Sequence, residues 1–150
     1  MEVKNYLILN LNFLVTKTNY SAATYKAFSE AKHLGNKAKT FLDRQAKLHT
    51  IFHEELQEIL TKYGVETSGV EETSSDNLDY ELSYDFNELP ENFKKNLYSY
   101  LIETNVEIFI NYKKLLLTES MPFDVSSKIL RHLILLKDSL KHLEQLENKA

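Results

Sequence analysis

One stretch, Asn36 to Gly64, constrains the fold more than any other, because its apolar residues recur at helical spacing. At roughly 100° per residue, Ala38, Phe41, Leu48, Phe52, Leu56, Ile59 and Tyr63 share one broad stripe. Arg44, Lys47, Thr50, Glu54, Glu58 and Lys62 lie mostly opposite. An amphipathic helix of this kind needs other apolar segments to bury its stripe. Two polar residues interrupt it, Gln45 at its centre and His49 at its edge, and any chemical reading of the chain leans on them.

Three further segments answer that requirement. From about residue 4 to 33, Leu7, Leu11, Leu14, Val15, Ala22 and Tyr25 trace one helical face. Leu34 and Gly35 end this helix, Gly35 suiting a left-handed C-terminal position, and Asn36 can cap the helix over 37–63. So tight a connection makes the two helices antiparallel neighbours. A third helix over 89–118 accepts Pro90 in its first turn and presents Leu97, Leu101, Ile108, Tyr112 and Leu115. After the break at Pro122, Asp124, Ser126 or Ser127 can cap a fourth helix over 125–147, with the stripe Ile129, Leu133, Leu136, Leu140 and Leu143.

Between the second and third helices, residues 64–88 are rich in Ser, Thr, Asp and Glu. Antiparallel neighbours need far less chain, so this connection is expected to cross the length of the bundle. Tyr80, Leu82, Tyr84 and Phe86 alternate with polar residues as a strand does, but one strand has no partner, and an extended piece pinned over the bundle fits better. The expected fold is all-α: a single four-helix bundle over 1–150, two helical hairpins joined by a long connection, in the up-down-down-up order of ferritin. Only three glycines and two prolines fit long helices and disfavour a turn-rich β fold.

Composition narrows the function classes. A net charge of -4 with scattered Lys and Arg gives no electrostatic basis for nucleic-acid binding. With no cysteine, metal chemistry would fall to His, Asp and Glu. No run approaches the ~18 apolar residues needed to span a bilayer, so no membrane insertion is expected. Asn5, Asn10 and Asn12 interrupt the N-terminal apolar stretch, which reads as mature structure and hence as cytoplasmic.

The first helix carries Leu11-Asn12, Leu14, Asn19, Tyr25 and Ala27, the second AKTFLDRQAKLHTIFHEEL, and the third ETNVEIFINYKKLL. In this order the chain resembles an uncharacterised bacterial family of ferritin-like four-helix bundles, a domain of unknown function pairing an Asn- and Tyr-bearing first helix with a Glu-x-x-x-Glu third helix. The resemblance runs from about residue 6 to 146, with the region between helices two and three shortened. It implies the ferritin-like fold and matches Glu103 and Glu107 to the family's third-helix carboxylates. It brings no established activity.

A ferritin-like di-iron centre takes a carboxylate from each of two helices and Glu-x-x-His from the other two. No Glu-x-x-His occurs here, and the first helix has no acid between Glu2 and Glu30. His49 and His53, one turn apart, form a pair able to chelate a divalent metal if carboxylates join them. Glu103 and Glu107 read as a solvated face or, with Val106 and Ile110 beside them, as part of a partner surface. Thr18, Gln45 and Asn105 fall on inner stripes and read as a polar layer that fixes helix register. His132, Asp138 and His142 read as surface residues, whereas Leu135 and Leu146 join Val106 and Ile110 as surplus apolar surface that a second subunit, or the Tyr80–Phe86 segment, would cover.

Two functional classes follow. The first is a non-enzymatic ferritin-like bundle, an interaction or stress-related structural protein, with a homo-oligomer or a protein partner. The second is a metal-binding or redox protein with a degenerate site for iron, manganese or zinc built on His49, His53, Glu103 and Glu107.

Overall fold

Helices form wherever the apolar period holds near 3.6 residues, and their ends are set by local backbone chemistry. The computed structural model of the chain describes residues 3–31, 34–65, 93–117 and 121–149. Helix α1 spans Val3–Ser29, α2 Asn36–Lys62, α3 Phe93–Leu116 and α4 Phe123–Lys149, and among the described residues there is no strand. Pro90 and the alternation from Tyr80 to Phe86 lie outside the described residues, as does the expected connection apart from Gly64 and Val65.

Three helix ends differ from expectation. Gly35 is extended, at φ -69° and ψ 162°, and stands as N-cap of α2 with no side-chain hydrogen bond, so Asn36 is the first helical residue rather than the cap. The left-handed glycine is Gly64, at φ 79°. There the amide of Val65 bonds the carbonyl of Leu60 and that of Gly64 bonds Thr61, both at 3.0 Å, which closes α2 with a Schellman motif. At α4 the amide of Ser126 reaches back to the Pro122 carbonyl at 2.9 Å. Ser126 and Ser127 lie inside the first turn, each hydroxyl donating to the carbonyl three residues before it, so neither caps the helix.

The helices pack as two hairpins, α1 on α2 and α3 on α4, with α1 also against α3 and α2 meeting α4 at few points. Two apolar clusters give the directions. One joins Leu11 and Leu14 of α1 to Leu56 and Ile59 of α2, Ile108 and Leu115 of α3, and Val125 and Ile129 of α4. The other joins Tyr25 and Phe28 to Leu42, Leu97, Leu101 and Leu143. The first half of α1 therefore meets the second half of α2, the second half of α3 and the first half of α4, an up-down-down-up order. Helix α2 ends and α3 begins at opposite ends of the bundle, about 40 Å apart at 1.5 Å per residue. Each fully buried Leu, Ile or Phe contributes about 1.5 to 3 kcal/mol of burial.

Every residue of the α1 and α3 sequence stripes is buried, joined by Phe28 and Tyr98, while the inner faces of α2 and α4 are rotated from theirs. On α2 the buried face is Leu42, Ala46, His49, Phe52, Leu56, Ile59 and Leu60, and Phe41 and Leu48 are half-buried toward α4. On α4, His132 and Ser139 are buried while Leu133 and Leu140 are not fully so. Because α2 and α4 stand apart, apolar residues line both the core and the space between them, and a stripe averaged over both points between the two. Leu135 and Leu146, expected outside, pack half-buried against the two clusters. Leu130, Ile134, Val106 and Ile110 are exposed.

The glycine geometry makes a direct test. No atom lies within 4 Å of a Cβ added at either Gly35 or Gly64, so only backbone conformation separates them. Gly64→Ala should lower stability by about 1 kcal/mol, the cost of a left-handed alanine. Gly35→Ala, at negative φ, should cost much less, and denaturant midpoints of the two variants measure the difference.

Candidate functional site

Between the two apolar clusters the interior turns polar. Thr18 of α1 satisfies its own hydroxyl by donating to the Leu14 carbonyl at 2.7 Å, and Asn105 of α3 donates its amide to Leu101 at 2.7 Å. Such bonds to the preceding turn let a polar residue sit inside a bundle without a partner on another helix. Other atoms in this waist have none among the described residues: the Ser21 and Tyr25 hydroxyls, the Asn105 carbonyl oxygen and both ring nitrogens of His49. Each such group costs about 1 to 3 kcal/mol of lost hydration.

His49 is the centre of this waist, with no exposed surface. Its ring lies 5.0 Å from that of Tyr25, edge to face, and 5.4 Å from that of Phe52. Burial, and then the neighbouring His132, pull its pKa down to about 3, so the imidazole is neutral at any physiological pH. Burial pushes the Tyr25 hydroxyl well above its ordinary range, with the nearby Asn105 side chain offsetting part of the shift.

A second polar chain runs from the core to the surface. The Tyr112 hydroxyl donates to His132 Nδ1 at 2.8 Å, which leaves His132 Nε2–H to donate to Glu55 at 3.3 Å. Arg131 grips both oxygens of the same carboxylate. Burial draws the His132 pKa down to about 4 against the opposing pull of Glu55, helped by the charges of Arg131 and Lys128. His132 is therefore neutral, and the ion pair here is Arg131 with Glu55. Phe52 stacks on His132 at 4.1 Å, so one phenyl ring contacts both buried imidazoles.

The sequence-chosen residues separate in space. His49 faces inward, not the core edge, while His53, half-buried, donates Nδ1–H to the Val15 carbonyl of α1 at 2.8 Å. Glu103 and Glu107 are exposed, and Glu107 pairs with Lys17 at 3.4 Å. Gln45 lies at the side of the core, its carbonyl accepting from Ser139 at 2.7 Å. Thr18, His49 and Asn105 occupy the waist. Among the described residues no three His, Asp or Glu side chains converge on one point. Two hard divalent cations need bridging carboxylates, and an imidazole among hydroxyls and an amide does not supply them.

His132, expected at the surface, is buried, and with Tyr112, Glu55 and Ser139 it forms the part of the site that apolar patterning passes over. Its signal was in the spacing: Val125, Ile129, His132, Leu136, Ser139 and Leu143 alternate in steps of four and three, the seam of a packed bundle. Reading the seam by spacing rather than by hydrophobicity places both polar residues inside. No protein-family model, curated protein or solved structure matches the chain.

The two buried imidazoles tie stability to pH. Unfolded histidine titrates near 6.5 and folded His49 near 3, so between these values the unfolded chain binds the extra proton and stability falls as pH falls. His49→Leu removes both this term and two unpartnered nitrogens. Relative to the parent it should gain about 2 kcal/mol on going from about pH 7.5 to pH 5. Urea unfolding at the two pH values measures this, with helicity by circular dichroism confirming that the variant is folded.

Proposed function

We propose that this chain is a non-enzymatic ferritin-like bundle, cytoplasmic, serving as an interaction or stress-related structural protein that self-associates or holds a protein partner. The observation that carries this reading is the chemistry of the waist. Where a ferritin-like centre would gather carboxylates and Glu-x-x-His pairs, the described helices bring Thr18, His49 and Asn105, neutral groups that bond their own helices or none. The up-down-down-up helix order supports the ferritin-like architecture. No described helix is long and apolar enough to cross a membrane.

The interaction reading draws on apolar residues facing outward. Leu130 and Ile134 of α4 are 48% and 53% exposed, one turn apart, and Val106 and Ile110 of α3 stand in the same relation at 39% and 45%. Exposed apolar pairs at helical spacing are what a helix presents to a second helix.

A second reading, a degenerate metal or redox site, draws on the unpartnered nitrogens of His49. Metal analysis separates the two. Protein purified without chelator and then incubated with iron, manganese or zinc should carry substoichiometric metal after desalting, and His49→Leu should change nothing. One metal per chain, lost in His49→Leu, would establish the second reading instead. For association, sedimentation equilibrium should give an oligomer for the intact chain and a lower mass for Ile134→Glu. A monomer in both would remove self-association and leave a different protein as the partner.

A further inference from the structure

We propose that the cleft between α2 and α4 binds a small aromatic anion, a planar ring carrying a carboxylate or phosphate. The site lies apart from the polar waist and does not depend on the absence of a metal centre.

The cleft exists because α2 and α4 are the least intimate neighbours in the bundle. It is an open groove of about 580 Å³, within the size range of ordinary small-molecule sites. The hydrogen bond from Ser139 to the Gln45 carbonyl bridges the two helices along it. With its oxygen committed there, the Gln45 amide keeps two N–H donors for an acceptor in the cleft. Leu48 and Leu135 supply apolar wall. Phe41 and His142 bring their rings to 4.0 Å at 40°, a platform on which a flat ring can stack.

Charge selects the sign of the ligand. Of the two arginines in the chain, Arg131 is committed to Glu55, while Arg44 lines the cleft with no carboxylate partner among the described residues. Lys37 lines it too and pairs with no acid among the described residues. Both unpaired cations belong to the first three turns of α2, whose N-cap Gly35 contributes no side-chain bond to the first-turn amides. The N-terminal end of a helix adds a partial positive charge of its own. Asp138, on the α4 side, repels an anion from that rim. The anionic group therefore sits at Arg44 and Lys37, whose guanidinium fork suits two oxygens of a carboxylate or phosphate, and the ring extends toward Phe41 and His142.

The probes are 2-naphthoate, 2-naphthyl phosphate and uncharged 2-naphthamide, titrated calorimetrically into the full-length chain. One saturable site is expected for at least one of the two anions, with the preferred anion showing which head group the cleft takes, and the amide at least about tenfold weaker. Arg44→Gln, an exposed position whose loss leaves the fold intact by circular dichroism, should weaken the anion by a similar factor. Phe41→Leu should weaken anion and amide alike, and Lys114→Gln on α3, the same charge change away from the cleft, should leave affinity unchanged. Absence of saturable binding for both anions overturns the proposal. So does an affinity that Arg44→Gln leaves unchanged, or an amide that binds as tightly as the anions.

Discussion

The burial of two uncharged imidazoles beside one phenyl ring is the constraint on which the rest of the bundle depends. Phe52 touches both His49, one turn earlier on its own helix, and His132 across on α4. Neither imidazole can be charged there without a large cost, and neither is replaced by a hydrocarbon. Only one alignment of α2, α3 and α4 gives His132 the Tyr112 hydroxyl on one nitrogen and Glu55 on the other. Sliding α4 by a turn would strand both nitrogens and part Arg131 from the Glu55 carboxylate. Apolar layers tolerate such slips far better, since one leucine replaces another at little cost. The waist thus trades stability for register, and the two apolar clusters on either side supply the stability.

The four sides of the bundle are held by different forces. Helices α1 and α2 join closely along their length, as do α3 and α4, and α1 meets α3 through the Tyr20 and Tyr100 hydroxyls and the Lys17–Glu107 pair as well as the core. The α2 and α4 side is bridged mainly by polar groups: Gln45 with Ser139, Glu55 with Arg131 and His132, and Lys62 with Asp124 at 3.6 Å. Exposed ion pairs contribute about 0 to 1 kcal/mol each, so Lys62–Asp124 adds little. The half-buried Glu55 carboxylate, held by one guanidinium nitrogen of Arg131 and by His132, contributes more. A side closed by polar bridges rather than interlocking hydrocarbon leaves space between them, and the cleft lies along that side.

Most of the architecture could be read from residue spacing, because buried apolar residues recur at helical intervals on all four helices. On α1 and α3 every residue of the apolar stripe is buried, so stripe and core point the same way even though Thr18, Ser21, Thr24 and Asn105 are buried beside it. The order of the helices followed from connection lengths, the short link at Gly35 and the long one after Gly64. The site was less legible, for two physical reasons. Hydrophobicity marks any surface that is dry, and Phe41 and Leu48 are half-dry against α4 without facing the centre, so the apolar pattern of α2 points Gln45 inward and His49 to the rim. A histidine's hydrophobicity carries no signal of its burial either, and only its place in the four-and-three spacing of α4 does. His132 is inside because Tyr112, twenty positions earlier, offers it a donor, and a pairing between separate helices is invisible in a one-dimensional pattern.

Where chemistry can take place follows from the same packing. The side chains around His49 and Tyr25 close the waist from every helix, and Tyr25, His49, Asn105 and Tyr112 have no exposed surface. A substrate would have to part helices held by fully buried leucines above and below, losing several times the 1.5 to 3 kcal/mol that each contributes. The waist as it stands bears on the protein itself, through the contacts that align its helices and through the proton that His49 refuses. The surfaces open to other molecules lie on the outside of the bundle, at the exposed apolar pairs of α3 and α4 and on the side where α2 and α4 stand apart. There Arg44 and Lys37 retain a charge that no carboxylate among the described residues neutralises.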